Sequence, residues 1–325
     1  MKKTALFTAI FILISVNAIS QVLPYKNPKL TVDERVEDLL QRMTLKEKFW
    51  QVFMIPGDLE EGKDKYKDGI FGFQTFAKGQ TTDAAGQMLT YGSSGTPKQT
   101  AEKINAMQKF FLEETRLGIP IIPFDEALHG LVRDGAIAYP QSIALASTWN
   151  TDLMFKVSSA IATESKTRGI RQILSPVINL ASDVRWGRTE ETYGEDPFLS
   201  AQMGIAYVSA FEKQGIIATP KHFVANVGAG GRDSYPIDFS ERYLNELDFQ
   251  PFMACFSTGG ARSVMTSYNA LDGSPCTANN RLLNQILKRD WGFKGFVISD
   301  ASAVGGANVA HFTAADYADA TAQAI

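Results

Sequence analysis

The sequence predicts an α/β protein, a (β/α)8 TIM-barrel-like domain cut off before its last strand. Three observations carry that prediction. Short apolar or β-branched runs alternate with longer helical patterns, which is the rhythm of a parallel sheet with right-handed crossovers. Nearly every run ends in a charged or hydrogen-bonding residue, and a barrel gathers such strand ends around one mouth. An open doubly wound sheet would instead carry a glycine-rich phosphate loop at its switch point. The one glycine cluster, Gly228-Ala-Gly-Gly231, has neither phosphate-loop spacing.

The runs, in order, are Gly69–Phe73, Ile121–Asp125, Ile173–Asn179, Ile216–Lys221, Ser263–Tyr268 and Gly295–Asp300, with Trp50–Ile55 as a further candidate. Helical patterns over Lys98–Thr115, Pro197–Gln214, Glu241–Thr258 and Asn280–Trp291 separate them. Asp196-Pro197 reads as an N-cap followed by a first-turn proline. A closed barrel needs eight strands, and the chain stops inside the helical pattern Ala314–Ile325 without a cap signal. The expectation is therefore an N-terminal barrel domain over residues 21–325, with a second domain beyond Ile325.

Composition bounds the rest. The chain has 325 residues, 45% hydrophobic and 21% charged, enough for a sizeable core and too ordinary for a disordered or fibrous protein. A net charge of −3 gives no bulk attraction to nucleic acid, and three His with two Cys leave little for a multi-metal centre. Residues 1–20 read as a secretory signal peptide: Lys2 and Lys3, the apolar run Ala5–Val16, then Ala18-Ile-Ser20. Its removal takes away two Lys and no acid, leaving −5. A periplasmic or secreted protein follows, with no membrane segment after cleavage. Cys255, in a helical pattern, and Cys276, in a loop, read as buried free thiols.

The chemistry lies in five strand-end clusters. The first is Asp125-Glu126-Ala-Leu-His129-Gly130, with His129 read as a structural histidine in the first turn of a helix. The second, Asp183–Pro197, holds two Arg and many acids, and reads as a loop fixed by Arg–carboxylate forks. Arg188 is either part of that frame or a donor to a hydroxylated ligand. In the third, Lys221-His222-Phe223, adjacent strand residues point to opposite faces unless the backbone bends there, for which a cis peptide is one route. The glycine cluster that follows reads as a mobile loop beside the site. The fourth is Met265-Thr-Ser-Tyr268-Asn269, where the Tyr268 hydroxyl can steer a carboxylate. The fifth, Phe296-Val-Ile-Ser-Asp300, ends an apolar strand in one carboxylate that nearby Lys or Arg would keep ionised.

In this order the clusters resemble family 3 glycoside hydrolases of the β-glucosidase/β-xylosidase type, from about Val36 to the end of the chain. The strings Asp125–Gly130, Trp186-Gly-Arg188, Tyr193-Gly-Glu-Asp-Pro197, Lys221-His-Phe223 and Ser299-Asp300 carry the resemblance. It implies Asp300 as the nucleophile of a retaining exo-β-glycosidase and Asp125, Arg188, Lys221 and His222 as ligands of sugar hydroxyls. Met265 and Tyr268 would line the pocket. It implies an oligosaccharide or β-glucoside substrate and no metal or cofactor, and it leaves a homodimer open.

Two departures stand out. Ala301 follows Asp300 where many members carry Trp, and no residue matches the family's acid/base Glu, which belongs to an α/β-sandwich second domain. Glu126, Glu190, Glu191 and Glu195 read as loop scaffolding. Tyr235 stands where the amino-sugar branch has a catalytic His, which argues against that branch. A β-glucosidase is the first reading. A β-xylosidase, or a non-catalytic sugar-binding fragment lacking the acid, is the alternative.

Overall fold

The computed structural model describes residues 23–79, 89–92 and 95–325. The signal-peptide reading of residues 1–20 lies outside them. The chain divides into two compact units, Met1–Val52 and Phe53–Ile325.

In the first unit, helices Val32–Arg42 and Leu45–Trp50 each start at a capping box. Thr31 pairs reciprocally with Glu34, and Thr44 with Glu47. Each box satisfies two backbone donors that a helix start leaves open. Trp50 is the last residue of its helix, so the expected strand over Trp50–Ile55 moves to Met54–Pro56, in the second unit.

The second unit is an α/β fold with seven short parallel strands, each beside the next in sequence. They are β1 Met54–Pro56, β2 Gly72–Gln74, β3 Phe124–Asp125, β4 Gln172–Ile173, β5 Ile217–Ala218, β6 Ser263–Met265 and β7 Phe296–Ile298. Pairing runs Met54 to Gly72, Phe124 to Gln172, Gln172 to Ile217 and Ser263 to Phe296. Ile122 N–H to Phe71 C=O (2.9 Å) links the β2 and β3 segments, and Met265 N–H to Pro220 C=O (3.1 Å) links those of β5 and β6. Gly72 is required at the first link, because a Cβ there would lie 2.0 Å from the Ile122 carbonyl oxygen. Parallel bridges Val177–Lys221 and Phe223–Thr266 extend the pairing beyond the strands proper.

Helices Pro97–Glu113 and Pro197–Glu212 fall between strands where the helical patterns were expected, and Thr151–Thr167 is a further helix that the sequence reading did not name. Asp196 caps the last of these by accepting from Leu199 N–H (2.6 Å), with Pro197 at its first position. The pattern at 241–258 is not one regular helix. A widened π-type turn, Leu244–Asp248, interrupts it before Phe249–Ser257. Pro251, lacking an N–H, sits in the turn that follows. Arg281–Asp290 is likewise π-type.

Strand side chains divide between two layers. Phe124, Leu174 and Met265 cluster with Met54 and Ile298 on one side. On the other, Ile173, Ala218 and Val264 join the helices' Ile161, Met203, Phe211 and Phe252 in the large core. This is the alternation that period-2 strands impose. The polar strand ends lie just past these layers. Among the described residues, no helix is long and apolar enough to cross a membrane. Cys255 and Cys276 are buried free thiols.

Candidate active site

Five expected residues meet in one polar cluster: Arg188, Lys221, His222, Tyr268 and Asp300. The Lys221–His222 peptide is cis, and both side chains reach the cluster instead of opposite faces. Asn179, just past β4, grips His222 from three directions. Its Oδ1 accepts from the His222 backbone N–H (2.7 Å) and Nδ1 (3.0 Å), and its Nδ2 donates to the His222 carbonyl (2.8 Å). An amide oxygen can only accept, so Nδ1 carries the ring proton and Nε2 presents a lone pair. Arg188 Nη2 donates to that lone pair at 3.0 Å. The ring is kept neutral: burial, then Arg188 and Lys221, push its pKa well below the ordinary value.

Arg188 is held by a two-point fork on Glu191 (2.8 and 2.9 Å), and its Nη1 lies 3.8 Å from Asp233 Oδ2. Burial works against its charge, but Glu191, Asp300 and Asp233 more than offset this, so its pKa is raised. Asp183–Arg185 forms the second fork of the same loop. Asp233 accepts from Trp186 Nε1 (3.0 Å) and Asn226 Nδ2 (3.2 Å), which ties the glycine-rich segment down. Within that segment Gly228, at φ 69°, is required, since a Cβ there would lie 2.0 Å from the Arg232 carbonyl oxygen.

Asp300 lies two residues beyond β7 with its side chain 11% exposed. Oδ1 accepts from Ala301 N–H at 2.7 Å, and the Tyr268 hydroxyl lies beside the carboxylate and holds its pKa down. Oδ2 has no hydrogen-bond partner among the described residues and faces His222 Nε2 at 3.4 Å. Burial raises its pKa to about 6, while Lys221, Arg188, Ala301 N–H and Tyr268 oppose a larger rise. The neighbouring cations thus offset burial only in part, and the group is mainly ionised at neutral pH. The Tyr268 hydroxyl is itself raised, by burial and then by Asp300.

Asp125 and Met265 do not reach this cluster. Asp125 is 0% exposed and ion-paired with Arg133 at 2.7 Å, with Gln74 on its other oxygen at 3.3 Å. Met265 points into the apolar layer with Phe124 and Leu174. The acid that does reach it is Glu126, which takes Lys221 Nζ on both oxygens at 2.9 Å. Glu126 follows a strand-end Asp, so the alternation of side chains was the available signal. His129 sits in a bend rather than a helix and bonds Tyr139 C=O through Nδ1 at 2.9 Å, a structural contact.

The description "Glycosyl hydrolase family 3 N terminal domain" matches residues 44–325. The chain belongs to glycosyl hydrolase family 3. The match begins at residue 44, slightly after the Val36 expected from the motifs. A "Beta-xylosidase" of Formosa agariphila is 39% identical over 237 residues, covering 67% of this chain and 32% of the relative. A "Periplasmic beta-glucosidase" of Salmonella typhimurium is 31% identical over 314 residues, covering 93% and 38%. A solved β-glucosidase from Erythrobacter marinus superposes with a TM-score of 0.82 at 30% identity, over 92% of this chain and 40% of that one. The chain spans about a third of the length of these two curated relatives. In this chain Asn179, Asp233 and Glu191 hold His222, Trp186 and Arg188 in place, contacts that the sequence did not single out.

Proposed function

We propose that the chain forms the sugar-binding half of a retaining exo-β-glycosidase acting on terminal β-D-glucosyl residues. The observation that carries the reading is Asp300: a buried carboxylate with one oxygen anchored by Ala301 N–H and the other without a hydrogen-bond partner among the described residues. A retaining mechanism needs such an oxygen to attack the anomeric carbon as the glycosidic C–O bond breaks. The bonding electrons leave with the aglycone oxygen, which takes a proton from an acid. Water then hydrolyses the glycosyl ester with the same group acting as base. Family resemblance assigns that acid to the second, α/β-sandwich domain. Arg188, Lys221, His222 and Glu126 bind sugar hydroxyls.

The seven consecutive parallel strands support reading the unit as most of a (β/α)8 barrel. The leader pattern and the Salmonella relative's name support export to the periplasm or beyond. A xylosyl substrate is the second reading, favoured by the Formosa relative's name.

Trapping tests the proposal. Incubation with 2-deoxy-2-fluoro-β-glucosyl fluoride is expected to add one fluoroglucosyl unit to the peptide containing Asp300. Preferential labelling by the xylosyl reagent would select the second reading. Labelling on any other residue would overturn the assignment.

A further inference from the structure

We propose that His311 is a positioning residue that clamps Tyr268 from behind and so aims its hydroxyl at Asp300; this rests on the glycosidase reading. Tyr268 is held at both ends by one stretch of chain. Its hydroxyl lies beside Asp300, at the start of that stretch. Its backbone carbonyl accepts from His311 Nε2 at 2.7 Å, past the intervening helix Ala303–Val309. A carbonyl only accepts, so Nε2 carries the ring proton and Nδ1 is the bare nitrogen. That Nδ1 is buried with no partner among the described residues. Leaving a buried ring nitrogen unsatisfied is costly, and such groups call for an explanation beyond packing. The histidine's contribution is the single bond it donates. Its own backbone is fixed by His311 N–H to Gly306 C=O at 2.9 Å, so the ring is presented from a capped helix end.

The charged groups around Asp300 come from several elements. Lys221 and His222 follow β5, and Arg188 arrives on the forked loop with Glu191 and Asp233 behind it; Glu126 balances Lys221. Tyr268 is the neutral side chain among these that holds the Asp300 carboxyl down. Loosening it removes that hold without changing any charge.

The test compares H311A, H311Q and Y268F in the full chain by the rate of fluoroglycosyl trapping across pH. Gln places an amide N–H where Nε2 stood and can donate to the same carbonyl. H311A is expected to slow trapping about tenfold, the scale of one lost hydrogen bond of about 1.4 kcal/mol, with little change in reagent affinity. Its acid limb should move upward in the same direction as that of Y268F. H311Q should restore both within about threefold, since one donor is replaced by another. A merely structural histidine would lower thermal stability without moving the acid limb. Equal impairment of H311A and H311Q, or an unmoved limb in H311A, would overturn the clamp. A wild-type chain that is not labelled at all would overturn the glycosidase reading instead. The ring nitrogen shifts of His311 then decide the clamp separately: the Nε2–H tautomer supports it and the Nδ1–H tautomer overturns it.

Discussion

Asp125 and Asp300 both sit at the ends of parallel strands, both are buried, and burial raises both carboxyls, to about 7 and about 6. Their surroundings differ in kind. Asp125 faces a permanent cation, with the Arg133 side chain 1% exposed and 2.7 Å away. Asp300 faces a neutral imidazole lone pair 3.4 Å from an oxygen that nothing among the described residues satisfies. One carboxylate has its counter-ion built in; the other has a place left for a ligand. A strand-end acid in an α/β fold is thus not by itself a reacting group. What distinguishes the two is whether a cation sits in direct contact, as Arg133 does on Asp125, or only nearby, as Lys221 and Arg188 do around Asp300.

The largest expected break in this comparison is D300A, which should lower turnover of an aryl β-glycoside roughly 10^4-fold or more in the full-length protein, as loss of a covalent nucleophile does. Near-normal turnover would end the assignment. Removing the opposing cation of the other carboxylate should instead cost stability. R133A leaves a buried acid uncompensated, and chemical denaturation should show a loss of about 3–5 kcal/mol.

A third test separates function from folding at Asp300 itself. Its folded pKa of about 6 lies above the usual 3.8, so the folded state loses stability as pH rises between these values. D300N cannot ionise and avoids that loss. It should unfold on the order of 2 kcal/mol less readily at pH 7, with the gain gone below about pH 4. Urea melts at both pH values check this; an equal gain at pH 4 would point to some other cause. The same pKa implies that wild-type turnover falls as pH drops through about 6, readable from the acid limb of kcat/KM. The smallest effect is expected of E126Q, which leaves Lys221 Nζ with a neutral partner. A loss of about tenfold in kcat/KM, without the collapse predicted for R133A, would set Glu126 in the site and Asp125 outside it.

Much of this was legible in the chain. Period-2 runs and their polar ends located all seven strands to within a few residues, and Asp300, Tyr268, His222, Lys221 and Arg188 came together as the motifs implied. What was not legible depends on contacts made across the fold. Asp125 and Glu126 are adjacent acids with the same propensities; only the positions of Arg133 and Lys221 decide which is sealed and which is presented. Strand alternation puts Lys221 and His222 on opposite faces, yet both side chains reach the cluster. The π-type turns at Leu244–Asp248 and Arg281–Asp290 leave the apolar periodicity nearly helical, so the pattern alone reads them as ordinary helix.

The strand order has a consequence for how the chain comes into being. Among the described residues, each parallel strand after β1 lies beside the parallel strand made just before it. Each closure then spans one βα unit rather than the whole chain. A polypeptide wired this way can be laid down in order during synthesis, each βα unit docking on the last. The acid at the end of β7 is then the last of the cluster to arrive, so its awkward burial is imposed only on a scaffold already able to bear it.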